Sequence, residues 1–320
     1  MTGPPAPTAA VRLAVRRALG DLPADARVAA AVSGGADSLA LAAALAFERP
    51  SSVCLVVDHA LQPGSDRVAS RAADQCRGLG LAAEVLTASG REPGGAGPEG
   101  DARATRYRLL GAAAEDHGAA AVLLAHSRDD QAETVLLGLA RGSGARALSG
   151  MTARRGIWRR PFLDLPREVL AEACAAAGLR PWVDPHNSDP AFARVRTRGR
   201  VLPVLESELG PGVAAALARS AALLREDADA LDQLARAAHD QGEPASVTGL
   251  AALLPAVRSR VLKLWAEAYC GRPVGSAHVA ALRELVEAWS GQGPVALPGG
   301  WRAGRSGDRL LALPPEGDVP

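Results

Sequence analysis

Ser33-Gly34-Gly35-Ala36-Asp37-Ser38 follows the apolar run Val28–Val32 and opens a second apolar stretch, Leu39 to Leu45. A strand, a Gly-rich turn and a helix start in that order aim backbone N–H groups at one point, which suits a phosphate. The familiar triphosphate loop adds a lysine that reaches the terminal phosphates, but the sole lysine of this chain is Lys263. An acid, Asp37, stands in the first helical turn, where it repels a triphosphate unless a cation lies between them. Mg²⁺ held by the carboxylate on one side and by the pyrophosphate portion on the other reverses that sign. The plainer account, a helix cap worth about 1 kcal/mol, stays open on local chemistry alone.

Other residue groups carry chemistry at recognisable spacing. Asp58 and His59 end the apolar run Val53–Val57, at the edge where a nucleotide would lie, although Asp and His are also ordinary in a turn. Glu99, Arg103 and Arg106 fall on one helical face, either a solvated ion-pair stripe or arginines supplying the cation that the loop lacks. In "AHSRDDQAET", Ser127 and Asp130 have capping-box spacing. A cap does not explain His126, Asp129, Asp130 and Glu133 together, because such an acidic cluster repels itself unless a cation visits, either Mg²⁺ or the amino groups of free lysine. Arg194, Arg196, Arg198 and Arg200 alternate along "ARVRTRGR". On an extended chain that spacing puts all four on one side, facing phosphates or simply solvent.

The elements that must position these groups are legible. Apolar runs at Val28–Val32, Val53–Val57 and Ala121–Leu124, with a weaker one at Glu84–Leu86, alternate with helical stretches at Ser38–Phe47, Asp66–Leu79 and Ala102–Glu115. Strands too apolar for one-sided burial, separated by helices, predict an α/β fold with a parallel, Rossmann-like sheet whose ligands bind at the C-terminal strand edge. Ser89–Gly100, rich in Gly and Pro, reads as a mobile loop. The expected organisation is a tail and leading helix over 1–20, a nucleotide-binding catalytic domain over 21–208, and a smaller, mainly helical accessory domain over 209–320. The last holds a long helix, Val213–His239, two further helical stretches and a closing β-hairpin with turns at Gly299-Gly300 and Ser306-Gly307.

Bulk properties narrow the classes. The 36 basic and 35 acidic residues leave a formal charge of +1, so any nucleic-acid surface is local. Cys54, Cys76, Cys174 and Cys270 have neither C-x-x-C nor finger spacing, which speaks against structural zinc or a redox dithiol. No apolar run reaches the roughly 18 residues of a spanning helix and the N-terminus has no signal-peptide pattern, so the expectation is a soluble, cytoplasmic protein without a membrane partner. Oligomeric state is not readable, and a homodimer is among the expectations to test.

"SGGADS" matches the SGGxDS loop of the PP-loop ATP pyrophosphatase superfamily, and "VDHALQPGS", "EGDARATRY", "AHSRDDQAETVLLGLARGSG", "RRPFLDLPRE" and "WVDPHNSDPAFARVRTR" follow in family order. Together these blocks resemble the bacterial tRNA(Ile)-lysidine synthases, across about residues 28 to 205. The resemblance implies ligation of free L-lysine to C2 of the wobble cytidine of a CAU-anticodon isoleucine tRNA, which changes codon reading from AUG to AUA. Cytosine O2 attacks the α-phosphate of ATP and expels pyrophosphate; lysine's ε-amine then displaces AMP. By resemblance Ser33 to Ser38, Asp58 and His59 hold ATP, with Asp37 on Mg²⁺. Asp129, Asp130 and Glu133 take lysine, Asp130 being the candidate base. Arg103 touches phosphate or tRNA, and Arg106, Arg194, Arg196, Arg198 and Arg200 hold tRNA. Ser127 stands where the family has a second histidine, and Val195 where it has asparagine. The competing expectations are a tRNA thiolase of the same superfamily, which usually needs paired cysteines or a cluster; a glutamine-dependent amide synthetase, which needs an ammonia source; and a non-catalytic nucleotide-binding module.

Overall fold

Val28–Val32 is apolar on both faces, and the fold covers both. Val28, Ala30 and Val32 enter one core with Leu39, Leu41, Phe162 and Leu170, while Ala29 faces a second core with Leu110, Ala113 and Val122, as the two-residue period of a strand requires. The computed structural model describes residues 3–60, 64–88, 97–184, 189–243 and 245–315. The chain divides into two compact units, 1–223 and 224–320.

The first unit begins with α1 (Ala6–Ala18), β1 (Val28–Val32), α2 (Ala36–Glu48), β2 (Val53–Asp58), α3 (Ser65–Gly78), β3 (Ala82–Thr87), α4 (Gly97–Asp116) and β4 (Ala121–Leu123). It continues through α5 (Arg128–Leu139), α6 (Ala145–Leu148), β5 (Arg154–Arg155), β6 (Trp158–Arg159), α7 (Arg167–Ala176) and α8 (Ala193–Arg196). A π-helix, Thr197–Val201, then joins α8 to α9 (Leu202–Leu209), and the division between units falls inside α10 (Val213–Gln241). The sheet order is β3-β2-β1-β4-β6-β5, parallel except for β5 against β6. The chain winds outward from β1 to β3, then returns to place β4 on the other side of β1. The loops after β1 and β4 therefore diverge at a switch point, where such sheets bind ligands.

All four expected strands and the three helices between them are present. β5 and β6 were not expected: two residues each, rich in arginine, they carry no apolar alternation. Of the expected loop, 89–96 lies outside the described residues, and Gly97–Gly100 is already the first turn of α4, where Pro98 is tolerated near a helix start. The arginine run differs more. Arg194 to Arg200 is helical, not extended, because Thr197 and Leu202 are buried where this segment packs against α5, with Leu202 beside Ala132. At about 100° per residue, alternate arginines point to different sides. Cys54 and Cys76, far apart in sequence, meet in the core, where hydrogen bonding to Cys76 and burial push the Cys54 thiol up.

The second unit comprises the later turns of α10, α11 (Val247–Ala252), α12 (Pro255–Cys270), α13 (Ser276–Glu287) and the antiparallel sheet β7-β8-β9 (Val295–Ala296, Arg302–Ser306, Arg309–Leu313). Three helices follow the long one rather than two. They close over Leu262, Trp265 and Leu282. The hairpin β8–β9 turns at Gly307, whose φ of 56° favours glycine.

Candidate active site

Ser38 builds the glycine loop from inside. Its hydroxyl donates to the Gly35 carbonyl at 2.9 Å and accepts from the Ser33 N–H at 3.1 Å, so Ser33 and the first turn of α2 form one ring. Gly34 has φ of 84°, and a Cβ there would meet the Ala72 Cβ of α3 at 3.3 Å. The Gly34 carbonyl accepts from the Trp182 N–H at 2.9 Å, which ties the loop to the segment after α7. The N-cap position of α2 is Gly35, which has no side chain to cap it, so neither Ser33 nor Asp37 occupies the capping position. Asp58, at the next strand end, spends Oδ1 on the Ala60 N–H at 2.9 Å. His59 beside it is held below the usual imidazole range, first by burial and then by the Arg106 guanidinium.

A carboxylate cluster lies next to the loop. Ser127 and Asp130 form the capping box of α5: the Ser127 hydroxyl accepts from the Asp130 N–H at 3.3 Å, and Asp130 Oδ2 accepts from the Ser127 N–H at 2.8 Å. Asp130 Oδ1 accepts from Arg167 Nη2 at 2.8 Å and from Arg198 Nη2 at 3.3 Å. Glu133, one helical turn on and fully buried, takes Arg198 Nε at 2.6 Å and Nη2 at 3.1 Å. Arg167 Nε also sits 3.5 Å from Asp37. Asp129 faces elsewhere, accepting the Arg167 N–H at 2.9 Å. The charge balance that acids at this spacing require is thus met by two resident guanidiniums. Burial would raise Asp130, but Arg167, the Ser127 N–H and Arg198 bring it below the ordinary carboxylate range. Asp37 keeps less compensation, and burial pushes it up to about 6.

A guanidinium group stands opposite. Tyr107, on α4, stacks edge-on against Trp158 at 4.7 Å, and its hydroxyl accepts from Arg160 Nη2 at 3.1 Å and Arg103 Nη2 at 3.3 Å. Arg106 lies 5.8 Å from the same ring, and the nearby charge of Arg194 adds to the crowding. Burial raises the Tyr107 phenol, but Arg103, Arg160 and Arg106 together lower it. His126 sits between the two halves. Burial first, then Arg160, Arg106 and Arg103, lower it to about 3 against the pull of Asp130, so its imidazole is neutral near pH 7. Its Nδ1 is buried without a protein partner.

The fold thus gathers Ser33–Ser38, Asp58, His59, Arg103, Arg106, His126, Asp130 and Glu133 at one sheet edge. The arginine run is split: Arg198 enters the carboxylate cluster, Arg194 reaches Thr134 at 3.4 Å, Arg196 donates to the Pro190 and Ala191 carbonyls, and Arg200 is exposed. The Glu99 side chain lies outside the described residues. Arg160 and Arg167 were not singled out, although both fall in the block "RRPFLDLPRE". One signal for Arg167 was available, since a cation in the first turn of a helix opposes the helix dipole and calls for a carboxylate from elsewhere.

Comparison with known proteins bears on this geometry. A PP-loop domain model matches residues 8–205, and a TilS substrate binding domain model matches residues 246–311. The chain is 52% identical to a tRNA(Ile)-lysidine synthase of Salinispora tropica over 98% of each sequence. It is 51% identical to one of Thermobifida fusca over 97% of this chain and 99% of the other. Among solved structures, the U34-tRNA thiolase NcsA from Methanococcus maripaludis aligns with a TM-score of 0.56 at 18% identity, covering 67% of this chain and 78% of that one. At that identity the likeness concerns the fold alone.

Proposed function

The chain belongs to the tRNA(Ile)-lysidine synthase family, and from that premise we propose that its two electrostatic halves divide two half-reactions on one isoleucine tRNA with a CAU anticodon. The substrate ATP lies on the Ser33–Ser38 loop, with Asp58 and His59 toward its nucleoside. Cytosine O2 of the wobble cytidine attacks the α-phosphate and pyrophosphate leaves toward the loop amides. Arg103 faces the charge that develops there. Arg106, Arg194, Arg196 and Arg200 hold the tRNA backbone, whereas Arg198, expected there too, is taken up by Glu133 and Asp130, and the domain over 209–320 positions the rest of the tRNA. Free lysine places an ammonium against Asp130 and Glu133, beside Asp129, and its ε-amine, once neutral, attacks C2 and displaces AMP.

The residues fit Mg²⁺ in the mode where one carboxylate and phosphate oxygens share the ion. Asp37 is a half-buried acid whose charge burial disfavours and whose nearest cation is 3.5 Å away, so it gains from a divalent ion. Asp37 would hold such an ion, which would supply positive charge against the pyrophosphate as it leaves. Asp130 is the candidate base for the amine. Its pKa, held below the ordinary carboxylate range, makes it a weak base, so this duty needs one of its guanidinium contacts to loosen.

The observation that carries this reading is the pairing of a lysine-free phosphate loop with a buried carboxylate pair one strand away. Labelled lysine, ATP and the tRNA test it. The native chain should place label in tRNA with release of AMP and pyrophosphate, while Asp130→Asn should bind tRNA but incorporate no lysine. A fully active Asp130→Asn would remove that residue from the chemistry.

A further inference from the structure

The carboxylates assigned to lysine are already gripped by the protein's own cations, and the two grips differ. Arg167 is anchored at both ends, its N–H on Asp129 and its guanidinium spanning Asp37, Asp130 and Glu133 at 3.5, 2.8 and 3.8 Å. Arg198 holds Glu133 through two contacts, one to each carboxylate oxygen, yet 36% of its side chain is exposed while Glu133 is 0% exposed. Its backbone is unusual as well. Thr197–Val201 is a π-helix, inserted between two α-helices. Such turns are rare and mark places where a helix is adjusted to aim a side chain. Gly199 lies within it, and a Cβ there would meet nothing within 4 Å beyond the helix's own backbone and its chain neighbours, so the turn has a conformationally permissive residue next to the arginine.

We propose that Arg198 is a placeholder for the substrate's ammonium: free lysine enters by displacing the Arg198 guanidinium from Glu133 and Asp130, and the arginine turns outward on the Thr197–Val201 hinge. The inference rests on the assignment of Asp130 and Glu133 to lysine. A carboxylate as buried as Glu133 is costly without a cation, so the free enzyme keeps one there. Exchange of guanidinium for ammonium leaves the charge of the pocket unchanged, whereas a neutral side chain of the same length leaves Glu133 with only the longer contact to Arg167 at 3.8 Å. Arg198 is therefore a specificity-determining residue: it sets the cost that only a cationic ligand offsets. Its release also frees a guanidinium on the segment that carries Arg194, Arg196 and Arg200, so lysine occupancy and the tRNA contacts proposed for that segment are linked.

Hydrogen–deuterium exchange on the full chain, with and without lysine, tests the displacement without any substitution. Amides of residues 197–201 should exchange faster once lysine is added, although ligands ordinarily slow exchange. Calorimetric titration should show that Arg198→Gln binds lysine about tenfold more tightly than the native chain, the competing charge-assisted contact being gone. Norleucine should bind neither form. Slower or unchanged exchange at 197–201, with equal or weaker lysine binding by Arg198→Gln, overturns the placeholder role. If Glu133→Gln still abolishes lysine binding in that case, the pocket assignment survives. Undiminished lysine binding by Glu133→Gln removes both.

Discussion

Arg167 Nη2 lies 2.8 Å from Asp130 Oδ1, while the Arg167 N–H is held by Asp129, so the first turn of α5 fixes the first turn of α7 at two points. The guanidinium also faces Asp37 and Glu133, and its removal leaves three acids competing for Arg198. Arg167→Met should lower stability by about 3 kcal/mol, the low end of the scale for removing one partner from a buried charge pair. Arg167→Lys should recover only part, because a point charge cannot span three carboxylates as a planar fork does. Thermal unfolding of the two variants checks the order.

A second joint lies behind the carboxylates. Gln131 Nε2 donates to the Met151 carbonyl at 3.0 Å and its Oε1 accepts the Met151 N–H at 2.7 Å. Gly150 makes room for this clamp: its φ is 62°, and a Cβ there would stand 2.5 Å from Gln131 Oε1. Gly150→Ala should cost about 2–3 kcal/mol, from two hydrogen bonds and a strained backbone. Combined with Gln131→Ala it should cost less than the sum of the single changes, a point that urea denaturation of all three variants resolves.

The pH dependence of stability isolates Asp37. Its folded pKa of about 6 stands above the reference value of 3.8, so the folded state retains a proton that the unfolded chain gives up. That stabilisation is full below about pH 4, is lost as pH rises toward about 6, and leaves a buried charge above it. The shift of about two units corresponds to at most about 3 kcal/mol. Asp37→Asn should therefore be more stable than the native chain at pH 8 and lose that advantage as pH falls to 4, while pyrophosphate release is lost at every pH. Denaturation midpoints across that range, alongside pyrophosphate release, test both halves.

Much of this was legible in the residues. The parallel sheet followed from runs apolar on both faces, and the loop from Ser33 to Ser38 together with the absence of lysine before Lys263 pointed to an acid-bearing phosphate site. The Ser127–Asp130 capping box was readable from spacing alone. What the sequence did not show was which cation answers which acid. Arg198 alternates with Arg196 and Arg200 in the chain, but a helical turn sends it alone to Glu133, and that turn is dictated by the burial of Thr197 and Leu202 against α5. Arg160 and Tyr107 meet only because β6 pairs with β4, a contact carried by two residues with no strand period. Such long-range pairings follow from tertiary packing, which local spacing does not encode.

The division of labour between the two halves is tested most directly by measuring pyrophosphate release and lysine transfer separately in Asp37→Asn and Glu133→Gln, with ATP and tRNA present throughout. The structure predicts opposite patterns: Asp37→Asn should lose pyrophosphate release itself, while Glu133→Gln should release pyrophosphate once per tRNA and then fail to transfer lysine at native concentrations. Loss of pyrophosphate release in both variants, or native lysine transfer by Glu133→Gln, would contradict it.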